Sequence, residues 1–292
     1  MKILVIGAAG MLGHQVWKRL NQNYPGDVFG TVRKDISYYE KYNSLDPKCL
    51  FGNVDVLEFG SLQEILEKVQ PVWIVNCVGL TLRKPDLGDI EKCIEINSML
   101  PHRLALWASS NNSKVIHFST DCVFDGSKGS YVVSDIPTAN DMYGKSKFLG
   151  ETHERNALTL RLSIVGRELE SKTELVEWFL KQKNQTIKGY TRAFYSGLTT
   201  KRVGDEVVRI IKEFPQLNGL YQVSSEPISK YDLLRLLNKY FEIHADIEPF
   251  DGYCSDKTLD CSEYSRETGF IPPSWDEMIA ELAQDRSVDY GD

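Results

Sequence analysis

The stretch Met1-Lys2-Ile3-Leu4-Val5-Ile6-Gly7-Ala8-Ala9-Gly10-Met11-Leu12-Gly13 decides the fold. Ile3 to Ile6 is continuously apolar, as a central parallel strand covered on both faces requires. Met11, Leu12, Val16 and Leu20 then follow at helical spacing. Between strand and helix stand glycines in a G-x-x-G-x-x-G pattern, not the G-x-G-x-x-G of the other dinucleotide-binding class. Small residues there let the backbone approach a pyrophosphate, and the helix N-terminus offers N–H groups and positive dipole. Glycines alone are weak evidence, and a tight turn without ligand is the competing reading. Their place after an apolar strand and before an amphipathic helix favours the phosphate loop, with Gly7, Gly10, Met11, Leu12 and Gly13 as cofactor-binding candidates.

The same alternation continues downstream. Strands are expected at 27–32, 50–54, 72–75, 114–118 and 158–165, and helices at 11–20, 59–69 and 88–109, the last bent or interrupted near Pro101. Strand and helix in repeated succession mean right-handed βαβ units, hence an α/β doubly wound parallel sheet. After Gly166 the rhythm changes to helices at 174–183, 200–214, 230–241 and 275–282 with only short strands between. Residues 1–166 are therefore expected to form a dinucleotide-binding Rossmann-like domain. Residues 167–292 should form a smaller substrate-binding lobe whose segments weave back to the sheet.

Composition narrows the function. The 292 residues are 42% hydrophobic and 26% charged, the balance of a globular chain. A net charge of −7 without a long basic run argues against a nucleic-acid or anionic-membrane binder. No apolar stretch approaches the roughly 18 residues of a membrane span. The apolar opening breaks at Gly7 and Gly10, so it reads as a buried strand rather than a signal peptide. Six scattered cysteines, with no Cys-x-x-Cys and no partnering histidines, suggest reduced thiols and a cytoplasmic location; no metal site is expected.

The end of the second strand bears on the cofactor. An acid there would bind the ribose hydroxyls of NAD, whereas a basic residue accommodates the 2′-phosphate of NADP. The sequence offers Thr31-Val32-Arg33-Lys34. Arg33 is the better phosphate fork, Lys34 its neighbour, and Asp35 lies too far along to act as the ribose acid. NADP(H) is thus preferred, with NAD(H) the alternative; an ordinary basic turn is the bland reading.

Tyr143-Gly144-Lys145-Ser146-Lys147 places a tyrosine and a lysine four apart, on one face of an expected helix. A neighbouring ammonium lowers the pKa of a phenol and suits it to protonating a carbonyl oxygen as hydride arrives. Tyr-x-x-x-Lys is common by chance, so the pair needs support. Support comes from Phe118-Ser119-Thr120-Asp121, which closes the fifth strand at the carboxyl edge where ligands bind in such sheets. Either Thr120 or Ser119 could hold the substrate carbonyl beside Tyr143.

These motifs, with Ser119-Thr120-Asp121-Cys122-Val123-Phe124-Asp125-Gly126 and Tyr143-Gly144-Lys145-Ser146-Lys147-Phe148-Leu149-Gly150-Glu151, resemble the extended short-chain dehydrogenases. The nearest branch is the dTDP-4-dehydrorhamnose reductase family. The resemblance is sharp through about residue 166 and looser at Gly219–Ser224 and Ile228–Tyr231. It implies an NADP(H)-dependent reductase of a nucleotide-diphosphate sugar, acting on a keto group at C4 of a deoxy-sugar. Catalysis would rest on Thr120, Tyr143 and Lys147, with Lys147 also on the nicotinamide ribose. Asp55 and Val56 would lie near the adenine, Asn76, Cys77, Val78 and Gly79 along the cofactor cleft, and Asn97 at a position typical of the superfamily. Asp55 could instead cap a helix, and Asn97 could be a backbone-satisfied polar residue.

For the substrate, Thr81, Arg83, Thr120, Asp121 and Arg192 are the candidates. The family usually has an aromatic where Cys122 stands, and Leu80–Pro85 departs from its common sequence. A dehydratase of this fold would need Glu after the strand-end Thr-Asp; Cys122 occupies that place. An epimerase shares the Tyr and Lys and stays an alternative. A relative of this branch is a regulatory subunit of methionine adenosyltransferase, so a non-catalytic NADP-binding protein is the rival of another class. Homodimers are frequent in the superfamily, although no residue pattern here demands one.

Overall fold

The computed structural model describes residues 1–81, 88–285 and 288–290. In chain order its elements begin with β1 (Ile3–Ile6), α1 (Gly13–Asn23), β2 (Val28–Thr31), β3 (Leu50–Phe51), α2 (Phe59–Val69) and β4 (Trp73–Asn76). Next come α3 (Ile90–Cys93), a π-helical stretch (Ile94–Met99), α4 (Leu100–Ser110), β5 (Lys114–Thr120), α5 (Met142–Leu149), β6 (Ala157–Leu162), β7 (Ile164–Val165) and α6 (Leu175–Leu180). The chain continues through β8 (Thr186–Tyr195), β9 (Leu198–Thr199), α7 (Thr200–Glu213), β10 (Gly219–Gln222) and β11 (Ile228–Ser229). It ends with α8 (Lys230–Phe241), β12 (Asp246–Asp256), α9 (Ser262–Thr268) and α10 (Trp275–Gln284).

Seven strands form one parallel sheet in the order β10-β6-β5-β4-β1-β2-β3. Successive residues of β1 point to opposite faces. Ile3 and Val5 join a core with Trp17 and Leu20 of α1, while Leu4 and Ile6 join a second with Leu62, Leu66, Leu100 and Leu104. Both faces are thus covered, which is why β1 lacks polar alternation. Strand order reverses between β1 and β4, so the loops after these strands diverge and leave a crevice at the carboxyl edge.

The helix expected over 88–109 with a bend or break near Pro101 is interrupted at 94–99, ahead of Pro101, which sits in the first turn of α4. Proline has no N–H for the carbonyl four residues back, here that of Asn97. The end of α5 packs against that carbonyl, and a Cβ on Gly150 would stand 2.0 Å from it. The strand expected over 158–165 leaves the sheet at Ser163, whose carbonyl accepts from Leu198 N–H at 2.9 Å, and β7 pairs with β9 instead. The second half holds longer strands than its pattern suggests: β8 and β12 run ten and eleven residues in a three-stranded sheet ordered β11-β8-β12. β12 is an exposed edge with a bulge between Phe250 and Cys254, so it shows no apolar alternation. Among the described residues, no helix is long and apolar enough to cross a membrane.

Candidate active site

Two cavities occupy the crevice. One, of about 340 Å³, is lined by Gly10, Met11, Leu12, Asn76, Cys77, Thr120, Asp121, Tyr143 and Lys147 among others. The second, of about 280 Å³, is lined by Gly7, Arg33, Asp55, Val56, Lys92 and Ser171 among others. They share Val78, Gly79, Leu80 and Ser171, so a long ligand can lie across both. Volumes near 300 Å³ each suit the two halves of a dinucleotide.

The loop between β1 and α1 is built for close backbone approach. Gly7 has φ +79°, and its N–H donates to Thr31 Oγ1 at 3.1 Å. A Cβ on Gly13 would stand 2.0 Å from the Gly7 carbonyl, so only glycine lets the helix start this near the strand. On the facing side, Asn76 Oδ1 accepts from the Val78 N–H at 3.2 Å. Asn97 is buried and pins the next turn, accepting from Leu80 N–H at 2.9 Å and donating to Leu80 O and Ser146 Oγ. Its side chain is committed to shaping the loop.

At the adenosine end, Arg33 borders the second cavity beside Asp55 and Val56. Asp55 also accepts from the Leu57 N–H at 3.1 Å. Lys34 turns elsewhere: its ammonium pairs with Glu170 at 2.9 Å and lies 3.6 Å from the centroid of the Tyr38 ring. Asp35 is used locally, accepting from Ser37 N–H and Asn53 Nδ2.

At the other end, Asp141 caps α5 through the Gly144 N–H at 2.8 Å and sets the phase of Tyr143 and Lys147. The alternation of β5 separates the two hydroxyl candidates. Ser119 Oγ donates to Glu151 at 2.6 Å, and Glu151 is held by both Nε and Nη2 of the buried Arg161. Thr120 Oγ1 instead donates to Asp121 Oδ1 and accepts from the Cys122 N–H, both at 3.1 Å, and lines the first cavity with Tyr143. Lys147 donates from Nζ to the Phe118 carbonyl at 2.6 Å, and burial lowers its pKa to about 8. The phenol of Tyr143 is pushed up by burial and by Cys122, with neighbouring Thr120 acting against them. The expected lowering by Lys147 is therefore not what governs it; burial wins. A protonated phenol results, the form that gives a proton away.

The substrate candidates divide. Thr81 lines the first cavity and donates to Glu174 at 2.7 Å. Asp121 is buried against Thr120, and burial raises its carboxyl. Arg192 stands exposed on β8 and borders neither cavity. Arg83 lies outside the described residues. Two features were missed from sequence. The acidic run Glu168–Glu174 roofs the first cavity. Lys257, at the end of β12, faces Cys122 and Asp121. Neither belongs to a motif, and only folding brings them near β5.

Fold and site together define an extended short-chain dehydrogenase: a doubly wound sheet, a G-x-x-G-x-x-G loop, and Thr, Tyr and Lys converging at the switch point. More narrowly, the chain belongs to the family described as RmlD substrate binding domain, whose model matches residues 1–288. Among curated proteins it is similar to methionine adenosyltransferase 2 subunit beta of Danio rerio, 26% identical over 80% of this chain and 71% of that protein. The Mus musculus counterpart is 28% identical over 59% of this chain and 49% of its own length, so the chain spans about half of that relative. A probable low-salt glycan biosynthesis reductase of Haloferax volcanii is 32% identical over 56% of this chain and 54% of its own. Among solved structures, dTDP-4-dehydrorhamnose reductase of Bacillus anthracis in complex with NADP superposes with TM-score 0.77 at 20% identity, over 97% of this chain and 99% of that one. UDP-glucose 4-epimerase of Thermotoga maritima superposes with TM-score 0.79 at 18% identity, over 97% and 98%. At those identities the likeness is one of fold.

Proposed function

We propose that this protein is an NADP(H)-dependent reductase of a keto group, at C4, on a nucleotide-linked deoxy-sugar. The observation that carries the reading is the placement of Thr120, Tyr143 and Lys147 in one cavity continuous with the phosphate loop. The dinucleotide fits the residues present, since the loop opens on both cavities, Gly10, Met11 and Leu12 on the first and Gly7 on the second. Gly7 and Gly13 stand where a Cβ would strike Val78 or the Gly7 carbonyl and force the loop open. When bound, it supplies the hydride. Gly10, Met11 and Leu12 would hold its pyrophosphate, Arg33 the 2′-phosphate, and Asp55 and Val56 the adenine side. Asn76 to Gly79, braced by Asn97, would form the facing wall. Thr120 orients the carbonyl oxygen, and Tyr143 gives it the phenolic proton as charge develops. Lys147 then stabilises the phenolate left behind. Asp121 and Thr81 would meet the sugar, and residues 167–292 would supply the rest of the substrate pocket. The setting proposed is cytoplasmic.

A dehydratase is disfavoured because Cys122, with its thiol pushed up to about 12 by burial, stands where a carboxylate base would be needed. A second reading, a regulatory dinucleotide-binding subunit, draws on the likeness to methionine adenosyltransferase 2 subunit beta. One assay separates them: NADPH oxidation against a panel of nucleotide-linked 4-keto-6-deoxy sugars, with NADH in parallel and Tyr143→Phe as control. Turnover lost in Tyr143→Phe, by roughly 100-fold or more for a general acid, supports the reductase. Tight NADPH binding with no turnover on any sugar favours the regulatory reading.

A further inference from the structure

Behind the phosphate loop lies a buried hydrogen-bond network that the reaction does not use. His14, in the first turn of α1, donates from Nδ1 to the Gly10 carbonyl at 2.9 Å, and its backbone N–H reaches the same oxygen at 3.1 Å. With the proton on Nδ1, Nε2 is an acceptor, and the Tyr290 hydroxyl donates to it at 3.1 Å. Gln15 Nε2 donates to that hydroxyl at 3.0 Å. All three side chains are buried, and burial lowers the His14 pKa to about 4, so the imidazole stays neutral and Nε2 remains an acceptor.

Tyr290 also grips the opposite wall. The Arg167 guanidinium lies 4.5 Å from its ring centroid, and the Lys172 ammonium donates to its carbonyl at 2.7 Å. Arg167 and Lys172 flank the run Glu168–Ser171, which lines the same cavity as Gly10. One residue, 276 positions from His14 in sequence, thus ties the phosphate loop to the segment across the cleft from it.

We infer that Tyr290 is a positioning residue for dinucleotide binding, holding the Gly10 loop and the 168–171 wall at the spacing a pyrophosphate needs. This rests on reading the cavity as a dinucleotide site. Ring packing alone would be served by phenylalanine. The hydroxyl is the nearer donor to His14 Nε2, at 3.1 Å; without it the buried nitrogen keeps only the longer contact from Gln15 Nε2 at 3.4 Å. Gln15 Nε2 in turn loses the hydroxyl as its acceptor, a loss costlier than a hydrogen bond exchanged with water.

NADPH titration by fluorescence on the full chain tests this with wild type, Tyr290→Phe and Tyr290→Ala, alongside thermal melts and turnover at saturating cofactor. Tyr290→Phe should raise the NADPH Kd roughly two- to tenfold, the span of one net hydrogen bond, and leave saturated turnover at the wild-type level. Tyr290→Ala should raise Kd further; should it fail to fold, Tyr290→Phe decides. A Tyr290→Phe protein with lowered melting temperature but wild-type Kd would make the contact merely structural and overturn the inference. Wild type that binds neither NADPH nor NADH would instead sink the dinucleotide reading itself.

Discussion

Lys147 is buried with its ammonium on a carbonyl oxygen, that of Phe118, and this shapes both stability and rate. Desolvation lowers its pKa from 10.5 to about 8, with Glu151 acting the other way. The folded group therefore releases its proton before the unfolded one does. Below pH 8 both states are protonated and the fold bears the full cost of the buried charge. Between pH 8 and 10.5 the unfolded chain holds the extra proton, so this group's contribution to stability rises with pH. Rate should move the opposite way, because the phenolate left on Tyr143 needs the ammonium. We expect kcat/KM to be level up to about pH 8 and then to fall roughly tenfold per unit. A pH–rate profile with NADPH held saturating reads this directly, and a flat profile to pH 10 would remove Lys147 from the ionisation that matters. Lys147→Met should abolish turnover yet raise the melting temperature at pH 7, the sign expected where a site is held against stability.

Among the elements, the run Glu168–Glu174 between β7 and α6 lies along the first cavity and reaches the second at Ser171. Glu168 accepts from the backbone N–H groups of Thr173 and Glu174 at 2.6 and 2.7 Å and so closes the turn on itself. Glu174 reaches across the cleft to Thr81 at 2.7 Å, and Glu170 reaches Lys34 at 2.9 Å on the adenosine side. Ser171 borders both cavities, so a dinucleotide spanning them passes beneath it. Removing one latch of about 1 kcal/mol should speed release roughly fivefold. Stopped-flow displacement of NADPH from Glu174→Ala measures this, and an unchanged release rate would show that the segment does not hold the ligand in. This run was not legible in the sequence, and its chemistry explains why. Three glutamates in seven residues look like a solvated turn, and their partners Thr81 and Lys34 are 93 and 136 positions away. The parallel strands were legible because burial on both faces leaves unbroken apolar runs such as Ile3–Ile6. That Tyr143 and Lys147 share one face of α5 was legible from their spacing, although the spacing alone, common by chance, did not set them apart. The preference for Thr120 over Ser119 rested on the resemblance rather than the strand pattern, since the pattern does not say which face of β5 each hydroxyl meets.

Across the whole molecule, the division expected at residue 166 cuts through shared structure. β10, from the second half, completes the large sheet by pairing with β6, with Leu158 against Gly219 and Leu160 against Tyr221. α7 covers α1: Val203, Val207 and Ile211 share a core with Val16, Trp17 and Leu20, and Arg19 pairs with Asp205. Their approach is close enough that a Cβ on Gly204 would stand 3.1 Å from the Gln15 carbonyl. Residues 1–166 alone would thus expose an apolar helix face and an unpaired edge of β6, both of which favour aggregation over folding. We expect that fragment to be insoluble or to lack a cooperative melt, and the full chain to unfold in a single transition by circular dichroism and by intrinsic fluorescence alike. A soluble 1–166 fragment that melts cooperatively and binds NADPH would show the two halves to be separable. The lobe would then be an addition to a finished dinucleotide domain. A single transition means that whatever docks in the second half feels the same core that shapes the phosphate loop, since α1 begins at that loop and its far face is α7.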